Sequence, residues 1–238
     1  MHAAAMTISE VVRSGILPRT VEYMDQSAIR CVEDYLQIGL PIDAGAMLLI
    51  DIDGSAPAVE ETLQRLVAIC EEGGANEIKV ATSELEAKDL WKARQAISPA
   101  LFQLGPDKIN QDIVVPRSRI PEMVEWIDDL RRRTGLTIVT FGHAGDGNIH
   151  FNIMLDRSDK ETLEKAESAV REVFQQTIAL GGTISGEHGV GVSKAPYIGM
   201  EIGGEELALM KRIKEMFDPN GVLNPGKIFQ EDEGVSPT

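Results

Sequence analysis

Two spacings of apolar residues alternate along this chain, and the places where one gives way to the other mark its elements. The opening stretch to residue 39 carries a stripe near helical period at Ile29, Val32, Tyr35, Leu36 and Ile38, with Pro18 opening a short turn. It predicts a helical appendage. Residues 47–53 (MLLIDID) form an apolar run closed by Gly54, residues 59–70 an amphipathic helix ended by Gly73 and Gly74, and residues 77–81 a strand. Together they predict a β-α-β unit. Ser83 can cap the next helix, which runs through Leu90, Trp91 and Ala93 towards Ser98, where Pro99 disfavours helical geometry in the residue before it. Strands at 112–116 and 137–141 flanking a helix at 120–133, a further strand at 148–155 and a helix at 160–180 make a second unit with a hairpin attached.

Two such units predict an α+β fold: a mostly antiparallel sheet with helices on one face, related to the ferredoxin-like plan, with helical segments at both ends. The expected division is a helical segment over 1–46, the main domain over 47–229 and a disordered acidic tail over 230–238.

Composition narrows the function classes. Of 238 residues, 43% are apolar, enough to fill a core, and 38 acidic against 23 basic side chains leave a net charge of −15. With no basic block to neutralise phosphates, nucleic acid and anionic membrane surfaces are poor partners. No apolar run approaches the ~20 residues that span a bilayer. The start lacks the pattern of a signal peptide, and Cys31 and Cys70 are the two cysteines, so a cytoplasmic protein with reduced thiols is expected.

The segment FGHAGDGNIHFN allows geometry to be read from sequence. Asp146-Gly147 is a strong two-residue hairpin signal, and centring the turn there sets His143 opposite His150 and Phe141 opposite Asn152. Cross-strand neighbours have Cβ atoms ~4.5–5.5 Å apart, close enough for two imidazoles to share an ion. Ile149, Phe151, Ile153 and Leu155 alternate onto the opposite, helix-covered face, leaving the histidine face open. Two histidines that merely hydrogen-bond within a half-buried sheet would give the same pattern, since neither spacing nor turn type is unique to metal sites.

A second motif, GGTISGEHGVGVSK, sets Glu187 and His188 side by side among glycines that let the backbone approach a ligand. The order Gly186, Gly189, Gly191 is not the dinucleotide fingerprint, and no P-loop Lys-Ser/Thr follows. Three of the chain's four histidines fall in these two motifs, while His2 stands at the terminus. Two neutral imidazoles and a carboxylate suit a borderline divalent ion, zinc first, with manganese or iron as alternatives, and three protein ligands leave positions for substrate.

These two segments, with MFDPNGVLNPGKIF at 216–229 and weaker echoes in GILPRTVEYMD, LLIDIDG, LWKARQAI and DIVVPRSRIPEMV, make the chain resemble the C-terminal region of FAD-linked oxidases of the vanillyl-alcohol oxidase superfamily, of glycolate oxidase D-subunit, D-lactate dehydrogenase and D-2-hydroxyglutarate dehydrogenase type. The similarity runs from about Gly15 to Phe229. The resemblance implies that His143, His150 and Glu187 bind the metal, that His188 is the catalytic base, and that Arg94 and Asn152 bind substrate. Taken alone, Arg94 reads as a solvated helix charge, but its fork of donors suits the carboxylate of a 2-hydroxyacid. Asn224 and Lys227 resemble residues near the flavin.

The implied activity is oxidation of a 2-hydroxyacid to a 2-oxoacid with hydride transfer to FAD, which a domain or subunit outside this sequence would hold. The isolated chain is then expected to be inactive, and the flavin-side surface is where a homodimer would form. Two other classes fit the ligands alone: a metal-dependent hydrolase with Glu187 as base, which leaves His188 and the LNPGK ending unexplained, and a non-catalytic metal-binding subunit module.

Overall fold

The computed structural model describes residues 1–229 of this chain, and its strands are β1 (Thr20–Asp25), β2 (Ala46–Asp51), β3 (Asp107–Val114), β4 (Thr137–His143) and β5 (Asn148–Leu155). They form one five-stranded antiparallel sheet in the order β2-β1-β4-β5-β3. Since β3 and β4 both run antiparallel to the β5 between them, they are parallel to each other, and helix α5 (Ile120–Thr134) joins them in a split β-α-β unit. The α+β reading holds.

Residues 1–46 are not a helical appendage. They comprise α1 (His2–Arg13), α2 (Gln26–Leu36) and, between them, the interior strand β1, which pairs with β2 on one side and β4 on the other. Val21 and Tyr23 enter the main core while a carboxylate, Glu22, occupies a buried position on the other face, an alternation too short to mark a strand without its pairing partners. Conversely, residues 77–81 form no strand, and Ile78 and Val80 stay exposed. Local β-propensity without a pairing partner does not make a sheet. The tail expected at 230–238 lies outside the described residues.

The main core joins Ile138, Ile149, Phe151, Ile153 and Leu155 to α1, α5 and α6 (Lys160–Ala179), as the alternation in NIHFNIML requires. The opposite face is only partly open. Two helices, α2 and α4 (Glu84–Ala100), pack over Met24, Val139, Phe141 and Met154 at one end of it. Pro99 does not stop α4, because Ile97, Ala100 and Leu101 are all fully buried beneath α2 and hold the last turn in place. The Ser83 cap is present, its hydroxyl accepting from the Glu86 N–H at 3.3 Å. Helix α3 (Ala56–Glu72) packs Leu66 against Val11 and Ile16, whereas α7 (Gly204–Phe217) contributes no buried residue.

One side chain ties strand, helix and sheet together. Buried Asp25 ends β1 and caps α2 by accepting the Ala28 N–H at 2.7 Å, and it also accepts the Thr140 N–H at 2.7 Å and Arg131 Nη2 at 2.7 Å. Removing it strands two backbone donors, at about 1–3 kcal/mol for an unmet buried group and ~1 kcal/mol for a lost cap. Asp25→Ala is expected to lower unfolding free energy by about 2–4 kcal/mol in urea titration. A loss below about 0.5 kcal/mol would show that water takes over these bonds.

Candidate active site and metal centre

The hairpin is centred one residue earlier than the Asp-Gly signal indicates, between Gly145 and Asp146. Phe141, not His143, pairs with His150, and Val139, not Phe141, pairs with Asn152. Beyond Phe141 the strand leaves β5 and continues on β1, where His143 pairs with Glu22, and residues 144–147 form the loop. Gly142 permits this departure, since a Cβ there would stand 2.4 Å from the Asn148 carbonyl oxygen. The shift is two residues, so His143 and His150 still share a face and meet diagonally. Their Nε2 atoms are 3.4 Å apart.

Glu187 and His188 reach this face along the outer edge of β3. After α6 the chain forms a short bridge, Thr183 N–H to Val114 O at 2.9 Å and Val114 N–H to Thr183 O at 3.0 Å, and the Gly186 N–H then donates to Asp112 O at 3.3 Å. Gly186 has no room for a side chain, because a Cβ would fall 2.1 Å from Asn148 Nδ2. The next two N–H groups, of Glu187 and His188, both donate to Asp112 Oδ2, at 2.6 and 2.9 Å. One buried carboxylate thus fixes the backbone of both residues, and buried Lys194 donates to its other oxygen. Burial alone would raise the Asp112 carboxyl, but the Lys194 and backbone donors outweigh it and hold it below its usual range. Burial pushes the Lys194 ammonium down against the pull of Asp112.

Three ligand atoms converge in front of these supports. Glu187 Oε1 lies 3.6 Å from His143 Nε2 and 3.5 Å from His150 Nε2, closing a nearly equilateral triangle with the 3.4 Å histidine pair. An ion bonded at about 2.1 Å to three tetrahedral vertices separates them by about 3.4 Å. The donor set therefore fits a tetrahedral divalent ion with one vertex to spare.

The proton positions also fit. His143 Nδ1 is 2.6 Å from Glu22 Oε1, so in the neutral ring Nδ1 carries the proton and Nε2 offers its lone pair. The hydrogen bond to Glu22 raises the His143 pKa despite burial. Burial, and then the charges of His143 and Arg94, press His150 down to about 4, so it is neutral at pH 7. A protonated His143, or a neutral His150 with its proton on Nε2, would satisfy the pair without an ion; two Nε2 lone pairs facing each other would not.

The other residues singled out by sequence divide. His188 stacks on His150 with ring centroids 5.4 Å apart, and its Nδ1 lies 3.5 Å from Asp112 Oδ1. The His188 side chain keeps 44% of its surface exposed, Glu187 52% and His143 35%, against 7% for His150, so the cluster opens to solvent on the His188 side. Arg94 is no solvated helix charge: its Nε donates to Glu22 Oε2 at 2.7 Å and its guanidinium lies 4.9 Å from the Phe141 ring centre. Asn152 shares the face but is fully buried, its amide donating to the Val139 and His150 carbonyls and accepting from Asn110 Nδ2 at 2.6 Å. Asn224 and Lys227 occupy an exposed turn after α7, which the Ile228 N–H ties to Gly191 O of the glycine loop at 2.8 Å. Glu22, Asp112 and Lys194 were not singled out. Their only sequence signal is a charged residue inside a strand-like or glycine-rich segment.

The fold and site thus describe a mixed sheet-and-helix domain with a His-His-Glu cluster beside a third histidine, and comparison with known proteins names its family. The model for the C-terminal domain of FAD linked oxidases matches residues 1–228, so the chain belongs to that family. It is 45% identical over 232 residues to the glycolate oxidase subunit GlcD of Bacillus subtilis (strain 168), covering 98% of this chain and 49% of that protein. It is 34% identical over 227 residues to GlcD of Escherichia coli (strain K12), covering 95% and 46%, and 30% identical over 232 residues to a D-lactate dehydrogenase of Anaerostipes hadrus, covering 93% and 48%. The chain therefore spans about half the length of these relatives. Among solved structures, p-cresol methylhydroxylase with substrate bound shares the fold at a TM-score of 0.70 and 13% identity, over 98% of this chain and 51% of that one.

The Asp112–Lys194 pair can be tested apart from any chemistry. Lys194→Met leaves a buried carboxylate with backbone donors and the His188 ring but no cation of its own, and is expected to cost about 3–5 kcal/mol of stability. Combining it with Asp112→Asn should recover part of that loss in the double-mutant cycle. Strict additivity would mean that the two side chains do not interact.

Proposed function

We propose that this chain is the substrate-binding and metal-binding part of a flavin-dependent 2-hydroxyacid dehydrogenase of glycolate or D-lactate type. The observation that carries the reading is the triangle of His143 Nε2, His150 Nε2 and Glu187 Oε1, with His188 beside it on the solvent side. Charge supports it as well. Three carboxylates, Glu22, Asp112 and Glu187, outnumber the two cations Arg94 and Lys194 among them, so an anionic substrate gains from a bound cation. A divalent ion, zinc first and otherwise manganese or iron, would supply Lewis acidity to the substrate hydroxyl, and FAD would accept the hydride from C2.

The residues of this chain then handle position and proton. Arg94, anchored through Nε, has its terminal nitrogens left to clamp the carboxylate, and Phe141 sets the plane of the guanidinium. His188 removes the hydroxyl proton as the C2 hydrogen departs, and Asp112 holds the backbone that aims it. Asn152 reaches substrate only by exchanging one of the hydrogen bonds it already makes.

The flavin-binding partner is placed by this reading over the exposed apolar side chains of α7 and the turn after it, including Leu209, Ile213, Met216, Phe217 and Val222. Asn224 and Lys227 lie in the same turn, in keeping with a role beside the cofactor. A homodimer through this face is the competing occupant. Among the described residues no helix is long and apolar enough to cross a membrane. The same reading takes the chain to be cytoplasmic, with Cys31 and Cys70 as free thiols.

Single-residue replacements separate the roles. In the flavin-loaded enzyme containing this chain, His188→Ala should leave zinc content intact and reduce the rate of flavin reduction by glycolate or D-lactate at least a hundredfold. His150→Ala should lose both metal and activity. Near-normal flavin reduction in either variant, followed by stopped-flow absorbance, overturns the assignment.

A further inference from the structure

Glu22 stands apart from the three ligands and the base, yet it touches both halves of the site. It lies on β1, is 5% exposed, and divides its two oxygens between different elements. Oε1 accepts from His143 Nδ1 of β4 at 2.6 Å, while Oε2 accepts from Arg94 Nε of α4 at 2.7 Å. Both contacts are charge-assisted and short, and the side chain has little freedom to give up one for the other.

We propose that Glu22 is a positioning residue that couples the metal ligand to the substrate-carboxylate clamp, an inference that rests on the function proposed above. The argument is one of donors and acceptors. An ionised carboxylate accepts only, so it requires a proton on His143 Nδ1 and on Arg94 Nε at once. The first requirement leaves the lone pair of His143 on Nε2, pointing at His150 and Glu187. The second holds the guanidinium through Nε, with its central carbon 4.9 Å from the Phe141 ring centre, and leaves the terminal nitrogens out of the bond to Glu22. The spacing between ion and clamp is thus set by one side chain on a central strand, where sheet hydrogen bonds on both sides hold the backbone still.

Glutamine at this position keeps the shape and breaks the logic. Its amide oxygen can accept one of the two donors, but its NH2 opposes the other. Either His143 changes tautomer and turns a proton towards the ion, or Arg94 loses its anchor.

The test titrates the wild-type chain and Glu22→Gln with Co2+, read by its visible absorption, alongside 15N NMR of the imidazoles in the metal-free chain at a pH where His143 is neutral. The expected result is a ten- to hundredfold loss of Co2+ affinity in the variant. The wild type should show His143 with its proton on Nδ1, and the variant a shifted tautomer ratio. Glycolate should perturb the Co2+ spectrum of the wild type and do so more weakly in the variant at saturating metal. Co2+ affinity within about twofold of wild type overturns the proposal, and so does a wild-type His143 protonated on Nε2, which is read without any variant having to fold. A wild-type chain that binds no Co2+ overturns the metal reading beneath it, an outcome distinct from tight wild-type binding that the variant retains.

Discussion

The site hangs on a buried ion pair. Asp112 and Lys194 are both withdrawn from solvent, and neither would be tolerated there alone. Replacing both with apolar groups would fill the space equally well, so packing does not explain the pair. Its consequence does: a carboxylate at this point of β3 can take two consecutive backbone N–H groups, and those belong to Glu187 and His188. A glycine-rich loop, otherwise free to wander, is held to the edge of a rigid strand. Lys194, only six residues after His188, brings the loop back to the same carboxylate and closes it.

A second carboxylate does the complementary task on the other side. Glu22 holds His143 and Arg94, as Asp112 holds Glu187 and His188, and both carboxylates project from strands of the same sheet. The side chains that face solvent are thereby supported by groups that do not. The two sheet faces serve different ends: one is a continuous apolar core under α1, α5 and α6, the other is closed by α2 and α4 at one end and left polar at the histidine end.

Much of this was legible because side-chain direction in a strand has period two. The hairpin register was read two residues off, yet His143 and His150 remained on one face, since only an odd shift would have separated them. The glycine spacing around Glu187 and His188 signalled close backbone approach, and the structure shows it at Gly186. Strand β1 was not separable from a decoy by local pattern, because Val21, Glu22 and Tyr23 alternate just as Ile78, Lys79 and Val80 do, and what distinguishes β1 is a pairing partner on each side. Residues 77–81 carried that alternation and found no partner.

The sequence by itself determined the α+β class, the helix-covered face of β5, the resemblance to FAD-linked oxidases, and the residue types that gather at the site. These rest on local periodicity and on motifs whose residues are close in the chain. Tertiary structure alone decided where the hairpin turns, since β4 exchanges β5 for β1 after Phe141. It alone also brought Glu22 to His143 and Arg94, and Asp112 to the Glu187-His188 backbone. Those partners lie between 72 and 121 residues apart, and a contact over such a span is fixed by how whole elements stack and not by any pattern within one of them.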